Sequence, residues 1–123
     1  MFITAKELAK QSLKCVKEIT IEQWHSNHKN ILLIDVREKE EADQGMIAHA
    51  THISKGLLEC QIFDHPKLKT LTDEEKENTC IALYCRSGMR SAIAGGMLVN
   101  MGFKNVNSIQ GGYLAWLNTE RLA

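Results

Sequence analysis

The chain has no net charge and none of the long apolar runs that mark membrane proteins. Its 15 acidic residues balance 15 basic residues over 123 positions, so no general field attracts nucleic acid or an anionic membrane. No apolar stretch approaches the roughly 20 residues of a membrane-spanning helix, and the first residues lack the apolar core of a secretory signal. We therefore expect a cytoplasmic protein that binds neither nucleic acid nor membrane.

The sequence also lacks the cysteine density of a disulfide scaffold and contains no C-x-x-C pair. Four cysteines are present: Cys15, Cys60, Cys80 and Cys85. His49 and His52 have a spacing that metal sites use, but no third ligand is close in sequence, so packing or loop histidines are the default. We predict free cysteines, no metal site and no cofactor.

One stretch combines a buried strand, a cysteine and the start of a helix. Residues 81–84 are apolar strand formers, too few for a helix. From Met89 onwards the apolar residues recur at a helical period, and Gly102 stands where a helix would end. Cys85 is thus predicted at the carboxyl end of a strand, facing the first turn of a helix, which is where α/β sheets bind ligands.

This position favours a reactive thiolate over a merely buried thiol. The first amides of a helix lack intrahelical partners and the helix dipole is positive there, so both stabilise an anion. Gly88 lets the loop turn its amides inward without steric cost. Two of only four arginines, Arg86 and Arg90, lie in this loop, which should lower the pKa of Cys85 and bind an incoming oxyanion.

The rest of the chain alternates strands with helices, which predicts one α/β domain with a mainly parallel sheet covered on both sides. The predicted strands are 17–19, 31–36, a small edge strand within 46–53, 81–84 and 106–109. The predicted helices are one over 5–16, a short one from 21, a charged surface helix over 37–44, 56–63 (followed by a loop at 64–66), a short one from 73, 89–101 and 113–121. Capping boxes at Thr4, Thr20 and Thr72 mark three of the helix starts. Trp116 is expected to anchor the core, Cys15 and Cys60 to lie on helices, and Cys80 to be buried.

Three motifs in order, IDVRE at 34–38, CRSGMRS at 85–91 and QGGYLAW at 110–116, make the chain resemble a single-domain rhodanese from about residue 17 to 117. The resemblance implies a five-stranded, mostly parallel sheet with helices on both faces, formed by residues 17–123 after an N-terminal helical extension at 1–16. It also implies a thiosulfate sulfurtransferase in which Cys85 is the nucleophile and carries the sulfur as a persulfide.

The resemblance assigns further residues around Cys85. It implies that donor binding involves the loop residues Arg86, Ser87, Gly88, Met89 and Arg90. Asp35 and Arg37 match a strand-end pair whose role in the family is structural support. Asp35 lies at the same sheet edge as Cys85 if their strands are parallel. The expected partners are a small sulfur donor and a thiophilic acceptor, such as cyanide, a small thiol or a protein thiol.

Two alternatives to a sulfurtransferase stay open. A cysteine phosphatase or arsenate reductase also uses a cysteine in an oxyanion loop, but tyrosine phosphatases need C-x5-R, whereas this chain has C-x4-R from Cys85 to Arg90. A tighter ring suits a single sulfur atom better than a tetrahedral phosphate. The second alternative is a rhodanese-like regulatory or binding module without turnover. Cys15 or Cys60 could serve as a resolving thiol if exposed, and whether Cys80 takes part in redox chemistry stays open.

Overall fold

The structure is a computed structural model that describes residues 1–119. Its sheet has five strands: β1 (Lys17–Ile19), β2 (Leu32–Asp35), β3 (Thr51–His52), β4 (Cys80–Tyr84) and β5 (Asn105–Ile109). They are ordered β1-β5-β4-β2-β3, and all four pairings are parallel. The predicted fold class is confirmed. Because β2 and β4 are parallel neighbours with Asp35 opposite Tyr84, Asp35 and Cys85 do lie at one sheet edge.

Eight helices connect and cover the strands within the described residues. In chain order they are α1 (Ala5–Ser12), α2 (Ile21–Ser26), α3 (Lys39–Ala42), α4 (Leu58–Gln61), α5 (Pro66–Lys69), α6 (Asp73–Asn78), α7 (Met89–Met101) and α8 (Gly112–Leu117). Single 3-10 turns occur at His28–Asn30, Lys55–Leu57 and Ile62–Asp64. Within residues 1–119 no helix has the length and apolarity needed to cross a membrane.

Local sequence explains the helix ends. Thr20 and Thr72 form complete capping boxes, as predicted, whereas Thr4 accepts from the Glu7 N–H without the reciprocal bond. Gly102 ends α7 with φ +118°, a conformation that only glycine adopts at little cost.

The core consists of two apolar layers, one on each face of the sheet. Side chains alternate along the central strands, so that Leu32 and Ile34 join one layer while Leu33 joins the other. Trp24 is the fully buried tryptophan. Trp116, the expected anchor, is only partly buried and meets the Trp24 ring edge-on at 6.2 Å, because α8 lies at the rim of its layer.

The N-terminal helix α1 packs against the middle of α7, where two glycines allow close approach. A Cβ on Gly96 would lie 2.9 Å from Ser12 Oγ, and one on Gly95 would lie 3.0 Å from the Val16 methyl groups. A side chain at Gly96 would press on Ser12 at the end of α1, and one at Gly95 would press on Val16, which follows α1.

Several predicted boundaries are wrong for physical reasons. The charged helix over 37–44 shrinks to α3 because Arg37 is buried in an ion pair instead of lying on a surface helix. The loop at 64–66 is interrupted because Pro66, whose fixed φ suits a first helical position, begins α5. The predicted helix over 56–63 is broken into 3-10 and α turns. The small edge strand predicted within 46–53, by contrast, is confirmed as the two-residue strand β3.

Three further expectations need adjustment. The last helix begins one residue early, at Gly112, and ends at Leu117, while residue 121, its predicted end, lies outside the described part of the chain. Cys15 follows the end of α1 instead of lying on it, and Cys80 is only partly buried. Cys60 does lie on α4 and is exposed.

Candidate active site

Cys85 follows β4 directly, in the loop that leads into α7. Cys85 is almost fully buried, with 1% of its surface exposed. Gly88 adopts φ +122° just before α7, and this turn directs backbone N–H groups towards the sulfur. The Gly88 N–H donates to Cys85 Sγ at 3.1 Å and the Ser91 N–H donates at 3.4 Å. The sulfur atom therefore accepts hydrogen bonds from the first turn of a 13-residue helix.

These surroundings favour the thiolate. Burial by itself raises the pKa of the Cys85 thiol, because a buried charge is poorly solvated. Hydrogen bonds to the sulfur outweigh burial and hold the pKa below its ordinary value. They come from the Ser91 hydroxyl and from the amides of Ser91, Gly88 and Ser87. The direction is the predicted one, but hydrogen bonds rather than the arginine charges are its leading cause.

A pair of buried serines supports the sulfur, and the sequence analysis gave neither of them a role. Ser91 Oγ lies 3.6 Å from Cys85 Sγ and 2.7 Å from Ser108 Oγ on β5. It also donates to the Gly88 carbonyl at 3.1 Å. Ser91 could have been noticed, since it closes the CRSGMRS motif and lies in the first turn of the predicted helix. Nothing in the sequence singles out Ser108, which reaches the site only through the pairing of β4 with β5.

The start of α8 holds the other side of the loop. The Tyr113 N–H donates to the Cys85 carbonyl at 2.8 Å, and the Leu114 N–H donates to the Arg86 carbonyl at 3.1 Å. Gly112 has φ +52°, and a Cβ there would lie 2.3 Å from the Cys85 carbonyl oxygen. Gly112 is thus a point of close contact between α8 and the cysteine loop.

The outer residues of the loop face solvent. Arg86, Ser87 and Met89 are exposed, and Gly88 is half-buried. Among residues 1–119, Arg86 has no salt-bridge partner. An exposed arginine that directly follows the cysteine in sequence is suited to meet an anionic reactant.

The second loop arginine is already paired. Arg90 donates to both oxygens of Glu41, through Nη1 at 2.6 Å and Nη2 at 2.9 Å. Glu41 comes from α3, across the loop from α7. Arg90 is one of the predicted donor-binding residues, whereas its partner Glu41 lies in the segment predicted to be a charged surface helix.

Asp35 and Arg37 lie beside the loop in a buried network. Arg37 donates to both oxygens of Asp35 and, through Nη2, to the Gly45 carbonyl at 2.6 Å. The Tyr84 hydroxyl donates to Asp35 Oδ2 at 2.7 Å and accepts from the Ile47 N–H. These bonds connect the carboxyl ends of β2 and β4 to the following loop without touching Cys85 Sγ. Such an arrangement is what a supporting role for the pair requires.

The remaining candidates lie apart from Cys85. His52 Nε2 bonds the Arg37 carbonyl at 2.8 Å, and His49 stacks on His28 with ring centroids 4.8 Å apart. In the part of the chain described, no three histidine, cysteine or acidic side chains are grouped as a metal site requires. All four cysteines are free. Burial raises the pKa of Cys80, so Cys80 is a poor nucleophile.

Comparison with known proteins agrees with this geometry. The family model described as "Rhodanese-like domain" matches residues 21–119. A Bacillus subtilis protein described as "Putative sulfurtransferase YtwF" is 43% identical over 88 residues, which are 72% of this chain and 75% of that protein.

Two solved structures extend the comparison. A Rhodopseudomonas palustris protein, described as of unknown function and a "Possible Tyrosine Phosphatase", superimposes with a TM-score of 0.79 at 25% identity, covering 97% of this chain and 92% of that one. The human single-domain sulfurtransferase TSTD1 superimposes with a TM-score of 0.72 at 24% identity, covering 85% of this chain and 98% of that one. At such identity the likeness to the human structure concerns the fold.

Proposed function

The chain belongs to the rhodanese-like domain family, and we propose that it is a sulfurtransferase that carries sulfane sulfur as a persulfide on Cys85. The observation that carries the proposal is the position of Cys85 Sγ, which accepts hydrogen bonds from the Gly88 and Ser91 amides at the start of α7. These donors stabilise a thiolate before the reaction, and they remain available to a persulfide anion afterwards. The sulfurtransferase description of the Bacillus subtilis relative supports the same activity.

The first half-reaction loads the cysteine. The Cys85 thiolate attacks the outer sulfur of thiosulfate, and its electron pair forms the new S–S bond. The old S–S bond breaks, and its electron pair leaves with sulfite. Charge balances, because a thiolate and a dianion give a persulfide anion and a sulfite dianion. In this proposal the exposed Arg86 stabilises the departing anion, and a charged hydrogen bond of this kind contributes about 1.5–3 kcal/mol.

The second half-reaction removes the sulfur from Cys85. A thiophilic acceptor, such as cyanide or a small or protein thiolate, attacks the outer persulfide sulfur and takes it away, while the Cys85 thiolate is restored. With cyanide the product is thiocyanate, and charge again balances. Such a ping-pong sequence needs a nucleophile that is also a good leaving group, and a thiolate of lowered pKa is both. Because the cycle needs Cys85 reduced, we propose that the protein works in the cytoplasm.

The other loop residues have defined roles in this proposal. Gly88 contributes its amide and the positive φ that turns the loop, and Ser87 contributes its amide. Met89, the first residue of α7, contributes an exposed apolar side chain next to the loop. Arg90 forms an ion pair with Glu41.

A phosphatase is the second enzymatic candidate, because a structural neighbour is described as a possible tyrosine phosphatase. The length of the loop and the state of its arginine favour a sulfur substrate over a phosphate ester. From Cys85 to Arg90 it is one residue shorter than the C-x5-R ring that surrounds a phosphate, and the guanidinium that would close the ring is engaged by Glu41. A binding module without turnover is the remaining alternative, and it has no need of a stabilised thiolate.

Intact mass spectrometry tests the proposal. The purified, reduced protein is incubated with thiosulfate, and its mass should rise by one sulfur atom. The gain should disappear after cyanide treatment and be absent in Cys85→Ser. Cys60→Ser, which removes an exposed thiol on α4, is the matched control and should still gain the sulfur.

A different outcome would redirect the assignment. No mass gain with thiosulfate, a thiosulfonate or a persulfide would refute a sulfurtransferase. Hydrolysis of an aryl phosphate that depends on Cys85 would then favour the phosphatase.

A further inference from the structure

The Arg90 guanidinium, which a dianionic donor would need, is engaged by a carboxylate of the same protein. The contact is bidentate, with both Glu41 oxygens within 2.9 Å of guanidinium nitrogens. Both side chains are about one-third exposed, at 36% and 31%, so the pair borders solvent at the loop. The contact uses two of the five N–H donors of the guanidinium, and the carboxylate offsets the positive charge that would attract a second anion.

Glu41 is fixed independently of Arg90. It stands at the third position of α3, where its Oε1 accepts the Glu38 N–H at 3.2 Å in a capping box. The hydrogen bond from Arg90 lowers the pKa of Glu41 to about 2. The carboxylate is therefore ionised and in place at every pH at which the enzyme would work.

The charges around the sulfur consequently cancel. Arg86 and Arg90 contribute two positive charges, while Glu41 and the Cys85 thiolate contribute two negative ones. Glu38 is close enough to raise the pKa of Arg90, after the larger effect of Glu41, and so adds further negative potential. A dianion that enters this loop to react with the thiolate therefore meets no net positive charge that would attract it.

We propose that Glu41 is a specificity-determining residue that makes the Cys85 loop select monoanionic sulfane sulfur donors, such as thiosulfonates and organic persulfides, over dianionic thiosulfate. The inference rests on the proposed function and names its donor class. Thiosulfate stays a substrate, but a poorer one, because each of its two charges is opposed by Glu41.

The chemistry is the same for the selected class. With methanethiosulfonate, the Cys85 thiolate attacks the terminal sulfur, the Cys85 persulfide anion forms, and methanesulfinate leaves with the electron pair of the broken S–S bond. With an organic persulfide, the leaving group is the parent thiolate. No oxidant or reductant is consumed in either case.

The test compares thiosulfate with methanethiosulfonate, in which a methyl group replaces one charged oxygen. KM and kcat are measured with cyanide as acceptor for the wild type and for Glu41→Gln, which keeps a carbonyl oxygen for the α3 cap. Glu40→Gln removes the same charge from the same helix at an exposed site and is the matched control. Thermal unfolding checks that each variant is folded.

The expected result is a change of selectivity. KM for thiosulfate should be higher than KM for methanethiosulfonate in the wild type. In Glu41→Gln it should fall about threefold to tenfold, since the pair is partly exposed and solvent screens it. Because the interaction scales with donor charge, KM for methanethiosulfonate should fall by only about the square root of that factor. Glu40→Gln should leave the ratio of the two KM values as in the wild type.

Other outcomes would overturn the inference in distinguishable ways. A rise of KM for thiosulfate in Glu41→Gln would mean that Glu41 only holds Arg90 in place for the donor. Equal changes for both donors, or the same change in Glu40→Gln, would exclude a charge-selecting role for Glu41. If neither donor loads Cys85 in the wild type, the proposed function itself fails, whereas loading by both with unchanged selectivity refutes Glu41 alone.

Discussion

Removing the Ser91 hydroxyl should make the active-site cysteine more basic. In the thiol form Cys85 can donate to Ser91 Oγ at 3.6 Å. When Cys85 is deprotonated, the Ser91 hydroxyl can turn its hydrogen from the Gly88 carbonyl to the sulfur, while Ser91 Oγ accepts from the Ser108 hydroxyl at 2.7 Å. Ser91→Ala deletes this donor and keeps the Ser91 amide, so the thiolate loses stabilisation and the pKa of Cys85 rises.

The magnitude follows from the geometry. A hydrogen bond to a charged group contributes about 1.5–3 kcal/mol, and the long Sγ···Oγ distance places this one at the lower end. About 1.4 kcal/mol corresponds to a rise of one pKa unit for Cys85. Below the wild-type pKa the thiolate fraction, and with it the rate of sulfur loading, should fall about tenfold. Above the new pKa the difference should vanish, since the cysteine is then ionised in both proteins.

The assay is the pH profile of Cys85 alkylation by iodoacetamide, followed by mass spectrometry of the intact protein. Ser108→Ala, which touches Ser91 but not the sulfur, should move the profile in the same direction by less. Thermal unfolding separates this effect from a loss of fold. Superimposable profiles for wild type and a folded Ser91→Ala would refute the idea that the hydroxyl stabilises the thiolate.

Three further substitutions test the frame around the loop. Gly112→Ala should destabilise the fold by about 2–4 kcal/mol and abolish sulfur loading of Cys85, because the added Cβ would collide with the Cys85 carbonyl. Urea unfolding measures the loss of stability. Gly56→Ala, whose Cβ would meet nothing within 4 Å, is the control and should unfold like the wild type. Tyr84→Phe removes a buried hydrogen bond to Asp35 and should lower the free energy of unfolding by about 1.5–3 kcal/mol. Asp35→Asn should lower the free energy of unfolding by more, about 3–5 kcal/mol, because it leaves the buried Arg37 guanidinium unpaired. A loss of stability equal to or smaller than that of Tyr84→Phe would contradict this order.

Where neighbours in sequence are neighbours in space, the prediction of the fold was accurate. The start of α7 at Met89 and its end at Gly102 follow from helical periodicity and from a glycine at the stop, and β1 has the predicted bounds. Errors occurred where tertiary contacts override local preference. Arg37 has the surroundings of a surface helix in the sequence, yet it is buried against the rings of Tyr84 and Tyr113, which come from β4 and α8.

The candidate site divides in the same way. Cys85, Gly88 and the loop amides were predictable because a single short segment encodes the strand end, the turn and the helix start. Glu41 and Ser108 were not predictable, because they come to the loop from α3 and β5. Their separations from Arg90 and Ser91 are 49 and 17 residues along the chain.

The sequence alone therefore determined the family, the proposed nucleophile and the direction of its pKa shift, since these depend on a contiguous motif and on the intrinsic conformational freedom of glycine. Only the tertiary structure decided which charges and hydroxyls surround that nucleophile. Strand order brings Ser108 to Ser91, and the packing of α3 beside the loop brings Glu41 to Arg90. Electrostatic balance in a site is a sum over groups that meet in space, so it is fixed only when the chain has folded.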